Sequence, residues 1–211
     1  PSVQINRGSG FGDGQMYYSY SLKIDNQDRV IVADRDNHRI QVFDSDGNFL
    51  FKFGQPGSNP GEFNAPYDVA VDSIGKIYVA DAFNKRIQVF DSDGKFIKQF
   101  GAEGNGNGEF NVPISVATDS KDNLFVSDVF NHRIQVFDSD GKFLNKFGSL
   151  GPNDGQCHTP RQIIVDNKDQ LYVIDRQNSR VQVFTYTDNP PIDIKLNKEI
   201  SDKELESLIK E

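Results

Sequence analysis

Asp81-Ala82-Phe83-Asn84-Lys85-Arg86-Ile87-Gln88-Val89-Phe90 is one copy of a decapeptide that the chain writes four times. The pattern, Asp-x-x-Asn-x-Arg-Ile/Val-Gln-Val-Phe, starts at Asp34, Asp81, Asp128 and Asp175, each start 47 residues after the one before. A fixed period of roughly 20 to 50 residues marks a repeat architecture, whose units bury their apolar surface against their neighbours.

Working outward from this copy, an apolar run at 67–71 ends at Asp72, and a turn containing Gly75 leads into a second run at 77–80. The decapeptide supplies a third run at 87–90. Asp91-Ser92-Asp93-Gly94 then turns the chain into a fourth at 96–100. Short β-rich runs separated by Asp, Asn and Gly turns predict an antiparallel meander. Four strands in one period are the size of a propeller blade. Second strands are expected at 30–33, 77–80, 124–127 and 171–174, third strands at 40–43, 87–90, 134–137 and 181–184, and fourth strands at 49–53, 96–100 and 143–147. The expected fold is therefore all-β, with four-stranded antiparallel blades in repeats at 17–54, 64–101, 111–148 and 158–196.

Two closures stay open. Val3-Gln4-Ile5 lies one period before residues 50–52, which predicts a fourth strand at 3–6. If that strand completes the last blade, four blades close a ring. If residues 192–196 fill the place instead, the chain is part of a larger propeller whose open edges invite self-association. After Asn189-Pro190-Pro191, Ser201 and Glu204 form a capping-box pattern ahead of Leu205, Leu208 and Ile209. This predicts a short C-terminal helix in a tail at 197–211.

Composition narrows the function classes. The chain has 211 residues, with 31 acidic against 23 basic side chains and a net charge of −8. That balance argues against nucleic acid, which needs clustered Lys and Arg. A single cysteine, Cys157, can form neither an intramolecular disulfide nor a cysteine-rich zinc module. No apolar run approaches the roughly 20 residues of a membrane-spanning helix. The chain opens on Pro1 rather than Met, so an upstream leader and the compartment both stay open.

With its decapeptides and the preceding strand Pro66-Tyr67-Asp68-Val69-Ala70-Val71-Asp72, the chain resembles the NHL-repeat β-propellers over residues 1–196. The resemblance implies a ring of usually six blades, against the four repeats seen here. It also implies one of several roles: protein- or RNA-binding scaffolds joined to ubiquitin-ligase modules, extracellular sensors, or a few lyases and hydrolases.

Some repeated residues read as structure. Each Asp ending a second strand faces the Arg opening the third, giving the pairs Asp34/Arg39, Asp81/Arg86, Asp128/Arg133 and Asp175/Arg180. An Arg fork bonded to carboxylate and carbonyls braces a hairpin. Asn37, Asn84, Asn131 and Asn178 suit a left-handed or side-chain-bonded turn position. Asp44-Ser45-Asp46-Gly47 and its copies at Asp91 and Asp138 read as tight turns with Gly at positive φ, since a calcium loop's bidentate Glu is missing.

Between each Asp and Arg sit positions that vary: Arg35, Asp36 and His38; Ala82, Phe83 and Lys85; Val129, Phe130 and His132; Arg176, Gln177 and Ser179. Variable loops on a rigid frame are a common way to build binding sites. Phe83 and Phe130 share one repeat position and either pack beneath the glycine-rich linkers or form an aromatic contact patch. First strands line a propeller's channel, where Lys23, Asp68 and Arg161 would surround structural water. The only imidazoles, His38, His132 and His158, are the sole candidates for a zinc site of lyase type, and their repeat positions argue against convergence. Cys157 stands where Met16, Phe63 and Phe110 stand in other repeats, which makes it a packing residue. The expectation is a non-enzymatic, cofactor-free scaffold that binds a protein or peptide through its loop face. A metal-dependent lyase or hydrolase acting at the channel mouth is the alternative.

Overall fold

The computed structural model describes residues 8–187 and 193–201. The chain divides into two compact units, Pro1–Glu103 and Gly104–Glu211, and each holds two four-stranded antiparallel sheets. In the first unit, blade one is β1 (Ser21–Ile24), β2 (Val30–Asp34), β3 (Arg39–Phe43) and β4 (Phe49–Phe53). Blade two is β5 (Pro66–Val71), β6 (Ile77–Asp81), β7 (Arg86–Phe90) and β8 (Phe96–Phe100). In the second unit, blade three is β9 (Pro113–Thr118), β10 (Leu124–Asp128), β11 (Arg133–Phe137) and β12 (Phe143–Phe147). Blade four is β13 (Pro160–Val165), β14 (Leu171–Asp175), β15 (Arg180–Thr187) and β16 (Asp193–Ser201). Each sheet keeps its strands in chain order.

The sequence pattern explains which strands lie inside. β2, β3, β6 and β7 are buried at every residue, because both faces of these middle strands are covered. β4 and β8 alternate between half-buried and exposed positions, as an outer strand with one solvent face does. In the first unit, Ile31, Ala33, Ile40 and Val42 of blade one pack on Phe63, Val69, Ile77, Val79 and Phe90 of blade two. In the second, Phe125, Ile134 and Val136 of blade three meet Cys157, Ile163, Leu171, Val173 and Phe184 of blade four. Every third-to-fourth strand pairing shifts register at the residue before the strand's last repeat-motif Phe, for example between Val42 and Phe43.

The tight turns close as their composition predicts. Asp44 accepts from the backbone N–H of Asp46 and Asn48 at 3.0 and 2.8 Å, and Gly47 adopts φ +81°. Hydrogen bonds from Asn48 hold the Asp44 carboxyl below its usual range, so this carboxylate is consumed by its own turn.

The C-terminal segment supplies the fourth strand of blade four, with Val181 paired to Ile200 and Phe184 to Leu196. β16 therefore runs past residue 196, and Ser201, whose spacing to Glu204 suggests a helix start, is its last residue. The strand expected at 3–6 and the helix expected after Ser201 lie outside the described residues.

Candidate partner-binding loop face

The second-to-third strand hairpins decide what the loop face can do. In blade one, Asp34 Oδ2 accepts from Arg39 Nε at 2.8 Å, Asn37 Nδ2 at 2.8 Å and Gln41 Nε2 at 3.1 Å. Its Oδ1 takes the backbone N–H of Tyr17 at 2.8 Å. Arg39 donates onward to the carbonyls of Phe11, Gly12 and Gln15, Asn37 donates to Gly10 O, and Gln41 bonds both Gln15 O and Gly14 N. The linker at 8–15 is thus strapped onto the hairpin of the blade that follows it.

The same strap recurs in every blade. Arg86, Arg133 and Arg180 reach Asp81, Asp128 and Asp175 at 2.7, 2.9 and 2.9 Å, and each also holds carbonyls of its own preceding linker. All four carboxylate side chains are fully buried. Burial pushes the Asp81 carboxyl up, while hydrogen bonds from Asn64, Asn84 and Arg86 oppose it. The four Asp and the Arg residues that hold them face inward, with Arg180 the least covered, and are spent on the brace rather than on a partner.

Between them, each hairpin makes a short 3-10 turn: Arg35–Asn37, Ala82–Asn84, Val129–Asn131 and Arg176–Asn178. The Asn closes the turn through its side chain. The left-handed residue is the next one, with φ of +52° at His38, +56° at Lys85, +55° at His132 and +50° at Ser179. Ala82 and Val129 are buried, whereas Phe83 and Phe130 stand out at 47% and 56% exposure rather than under the linkers. Arg176 and Gln177 are exposed, and Arg35 and Asp36 are half-buried and paired at 3.3 Å. Arg35 also lies 4.5 Å over the Tyr67 ring.

The histidines do structural work of a kind the sequence does not announce. His38 Nδ1 accepts from Ala65 N, and His132 Nδ1 from Thr159 N, both at 3.1 Å. Both donors sit at positive φ just before a proline, an unfavourable setting for non-glycine residues that the imidazole acceptor helps to hold. In the second unit the His132 and His158 rings meet edge to face, 5.4 Å between centroids. Burial, and then the charge of His158, lowers the His132 pKa below its ordinary value, which favours the neutral ring that the acceptor bond requires. Among the described residues, no three His, Cys, Asp or Glu side chains gather as a metal-ligand set. Cys157 is buried, and burial pushes its thiol up to about 12, leaving almost no thiolate near neutral pH. Among the described residues, no helix is long and apolar enough to cross a membrane.

Sequence reasoning missed the glutamines Gln41, Gln88, Gln135 and Gln182, fully buried and bonded to both brace and linker. Their signal was present: a polar residue in the middle of an apolar strand, four times over, needs a partner. It also passed over Phe11, Tyr17 and Tyr18, which are 75%, 41% and 69% exposed in the first linker and the segment after it.

Comparison with known proteins agrees with this architecture. Short segments match NHL-repeat proteins: 51% identity over 43 residues with Protein lin-41 of Caenorhabditis elegans, and 44% over 48 residues with Protein brain tumor of Drosophila melanogaster. These segments are 20% and 23% of this chain, and only 4% and 5% of those proteins. Among solved structures, streptogramin B lyase aligns over 87% of this chain at TM-score 0.65 and 17% identity. A catalytically inactive virginiamycin B lyase from Staphylococcus aureus with quinupristin aligns at TM-score 0.64 and 20% identity, and the RRP9 WD40 repeats at 0.63 and 12%. At such identities the likeness is one of fold, and the chain spans about half the length of each structure. A family model described as a 6-bladed beta-propeller, DUF5128, matches residues 16–83, 72–123 and 111–202. The chain, with four NHL-like blades among its described residues, belongs to that family of six-bladed β-propellers.

Proposed function

We propose that the chain is a non-enzymatic scaffold that recognises a protein or peptide segment through the turns of its loop face. One observation carries this reading. Each turn is clamped by an identical buried brace, yet the residues it presents differ from blade to blade, and two of them are exposed phenylalanines. Exposed aromatic rings on a rigid support are the side chains most enriched among binding hot spots. Phe83 with Lys85 in the first unit, and Phe130 with His132 in the second, are the foremost contacts. Arg35, Asp36 and His38 of blade one, and Arg176 and Gln177 of blade four, offer polar contacts. The NHL-repeat relatives support an interaction role. The lyase-like neighbours support the fold, and the imidazole nitrogens His38 Nδ1 and His132 Nδ1 are already spent on backbone N–H groups.

A peptide-display selection on the intact chain tests the reading. The Phe83→Ala/Phe130→Ala variant should keep its melting temperature within a few degrees and bind the selected peptides about thirtyfold more weakly, the scale of a lost hot spot. Peptides that bind the variant and the parent equally would refute the loop face. A melting temperature that falls on chelation, in the parent but not in His132→Ala, would put a metal-dependent enzyme in its place.

A further inference from the structure

Aromatic side chains crowd one side of the first unit. Four of the chain's seven tyrosines, Tyr17, Tyr18, Tyr20 and Tyr67, lie there with Phe11 and Phe83. Their rings form two groups in contact, Phe11 with Tyr17 and Tyr18, and Tyr20 with Tyr67 and Phe83. Phe11 and Tyr17 are 6.0 Å apart between centroids, Tyr17 and Tyr18 5.1 Å, Tyr20 and Tyr67 4.8 Å, and Tyr67 and Phe83 6.1 Å. A cleft of about 450 Å³ opens beside them, lined by Ser9, Met16, Tyr17, Tyr18 and Ser19.

The blade frame does not ask for these rings. Phe11 stands where the other repeats carry Ser58, Asn105 and Pro152. Tyr17 replaces Asn64, Asn111 and His158, and Tyr18 replaces Ala65, Val112 and Thr159. The strap around them is indifferent to the change, because it grips the Phe11 carbonyl and the Tyr17 N–H rather than the side chains. Three exposed rings thus sit where other repeats make do with smaller residues, and Tyr18 shares the positive φ of Ala65, Val112 and Thr159, so the backbone there is common to all four blades. Exposed rings in mutual contact beside a cleft mark an interaction site.

Charge decides what it would take. The chain carries a net −8, and the one charged side chain of residues 8–20, Asp13, is paired with Lys52 at 2.6 Å. A net-acidic chain disfavours phosphate chains, and the negative face of a tyrosine ring attracts a guanidinium. The molecule already contains one example, with Arg35 4.5 Å above Tyr67. We propose that this aromatic surface docks an extended peptide segment bearing arginine side chains, which stack on the tyrosine faces as Arg35 does on Tyr67. The proposal rests on the loop-face reading, since Phe83 belongs to both.

Tyrosine fluorescence reads the contact directly, as the chain has no tryptophan. The intact chain is titrated with alternating Arg-Gly, Lys-Gly and Gln-Gly decapeptides and with a single-stranded uridine dodecamer. Binding of Arg-Gly at least tenfold tighter than Gln-Gly, persisting in part at high salt, is the expected result. Tyr17→Ala/Tyr18→Ala should weaken it at least tenfold with an unchanged melting temperature. Equal binding of Arg-Gly and Gln-Gly, or no effect of the double variant, would overturn the proposal. So would Lys-Gly binding that matches Arg-Gly and vanishes with salt, since that is bulk attraction to an acidic chain, or preference for the RNA. If display-selected peptides still need Phe83 and Phe130 while Arg-Gly fails, the loop-face reading stands and only the arginine assignment falls. If neither binds through these rings, both fall.

Discussion

In the first unit Phe63 fills the slot between two blades, and in the second the equivalent slot holds Cys157; both are fully buried. Around the slot little else changes. Phe53 and Phe90 lie 4.8 Å apart in the first unit, and their counterparts Phe147 and Phe184 lie 4.8 Å apart in the second. The ring makes the first slot tighter: a Cβ on Gly54 would come within 2.3 Å of Phe63, while one on Gly148 would be 3.4 Å from the Cys157 sulfur. The rim differs too. His38 holds the junction of the first unit beside Asn64, whereas His132 holds that of the second beside His158. What stays constant is the buried brace, so its demands separate from those of packing volume and of rim chemistry.

Emptying the slot should break the comparison most visibly. Phe63→Ala is expected to lose about 4 kcal/mol of stability, the scale for a buried ring. Cys157→Ala, which removes one heavy atom, should lose about 1 kcal/mol. Urea unfolding of both variants checks this, and equal losses would mean the second slot is as tightly filled as the first. Cutting the brace comes next. Asp81→Ala leaves Arg86 buried without its carboxylate and should cost about 3 kcal/mol. Asp128→Ala in the second unit should cost the same, and a loss under roughly 0.5 kcal/mol for either would place that pair on the scale of a surface ion pair.

The smallest effect is the pH dependence that only the second unit's histidine pair predicts. The folded His132 pKa lies below the ordinary 6.5, so the unfolded chain takes up the proton first. Its stabilising contribution is complete above pH 6.5 and declines as pH falls from there towards the lowered folded value. The protonated ring can no longer accept from Thr159 N. Melting temperatures between pH 7.5 and 5, with buffers chosen in steps of about half a unit, should show a slope that flattens in His132→Asn. An unchanged slope in that variant would assign the effect elsewhere.

Much of this was legible beforehand. The fourth strands lie at 49–53, 96–100 and 143–147 as the apolar runs predict, and the middle strands gain Asp34 and Arg39, or their copies, at the hairpin end, while β15 also runs on to Thr187. Those two residues pair across the hairpin, as their repeated spacing predicts. The grip of Asn37, Arg39 and Gln41 on residues 10–15 escaped, since it joins positions some 24–28 apart in sequence. Phe83 and Phe130 were singled out because they break a repeat. Phe11, Tyr17 and Tyr18 break it as plainly, but they fall in and after a linker whose residues no strand pattern marks as facing solvent. Their exposure in the structure brings that departure from the repeat to notice.

The strap also fixes where the chain can be cut. A sheet such as blade two starts at Pro66, but its hairpin is completed by carbonyls of residues 57–62, upstream of its first strand. The cooperative segment is therefore displaced from the visible sheet, and it begins at the end of the previous blade's outer strand. Deletions, insertions or circular permutations made at residues 54–55 or 148–149 keep each linker with the hairpin that grips it. The same operations made a dozen residues later, at the margin of the sheet, would sever every strap bond while leaving all four strands intact.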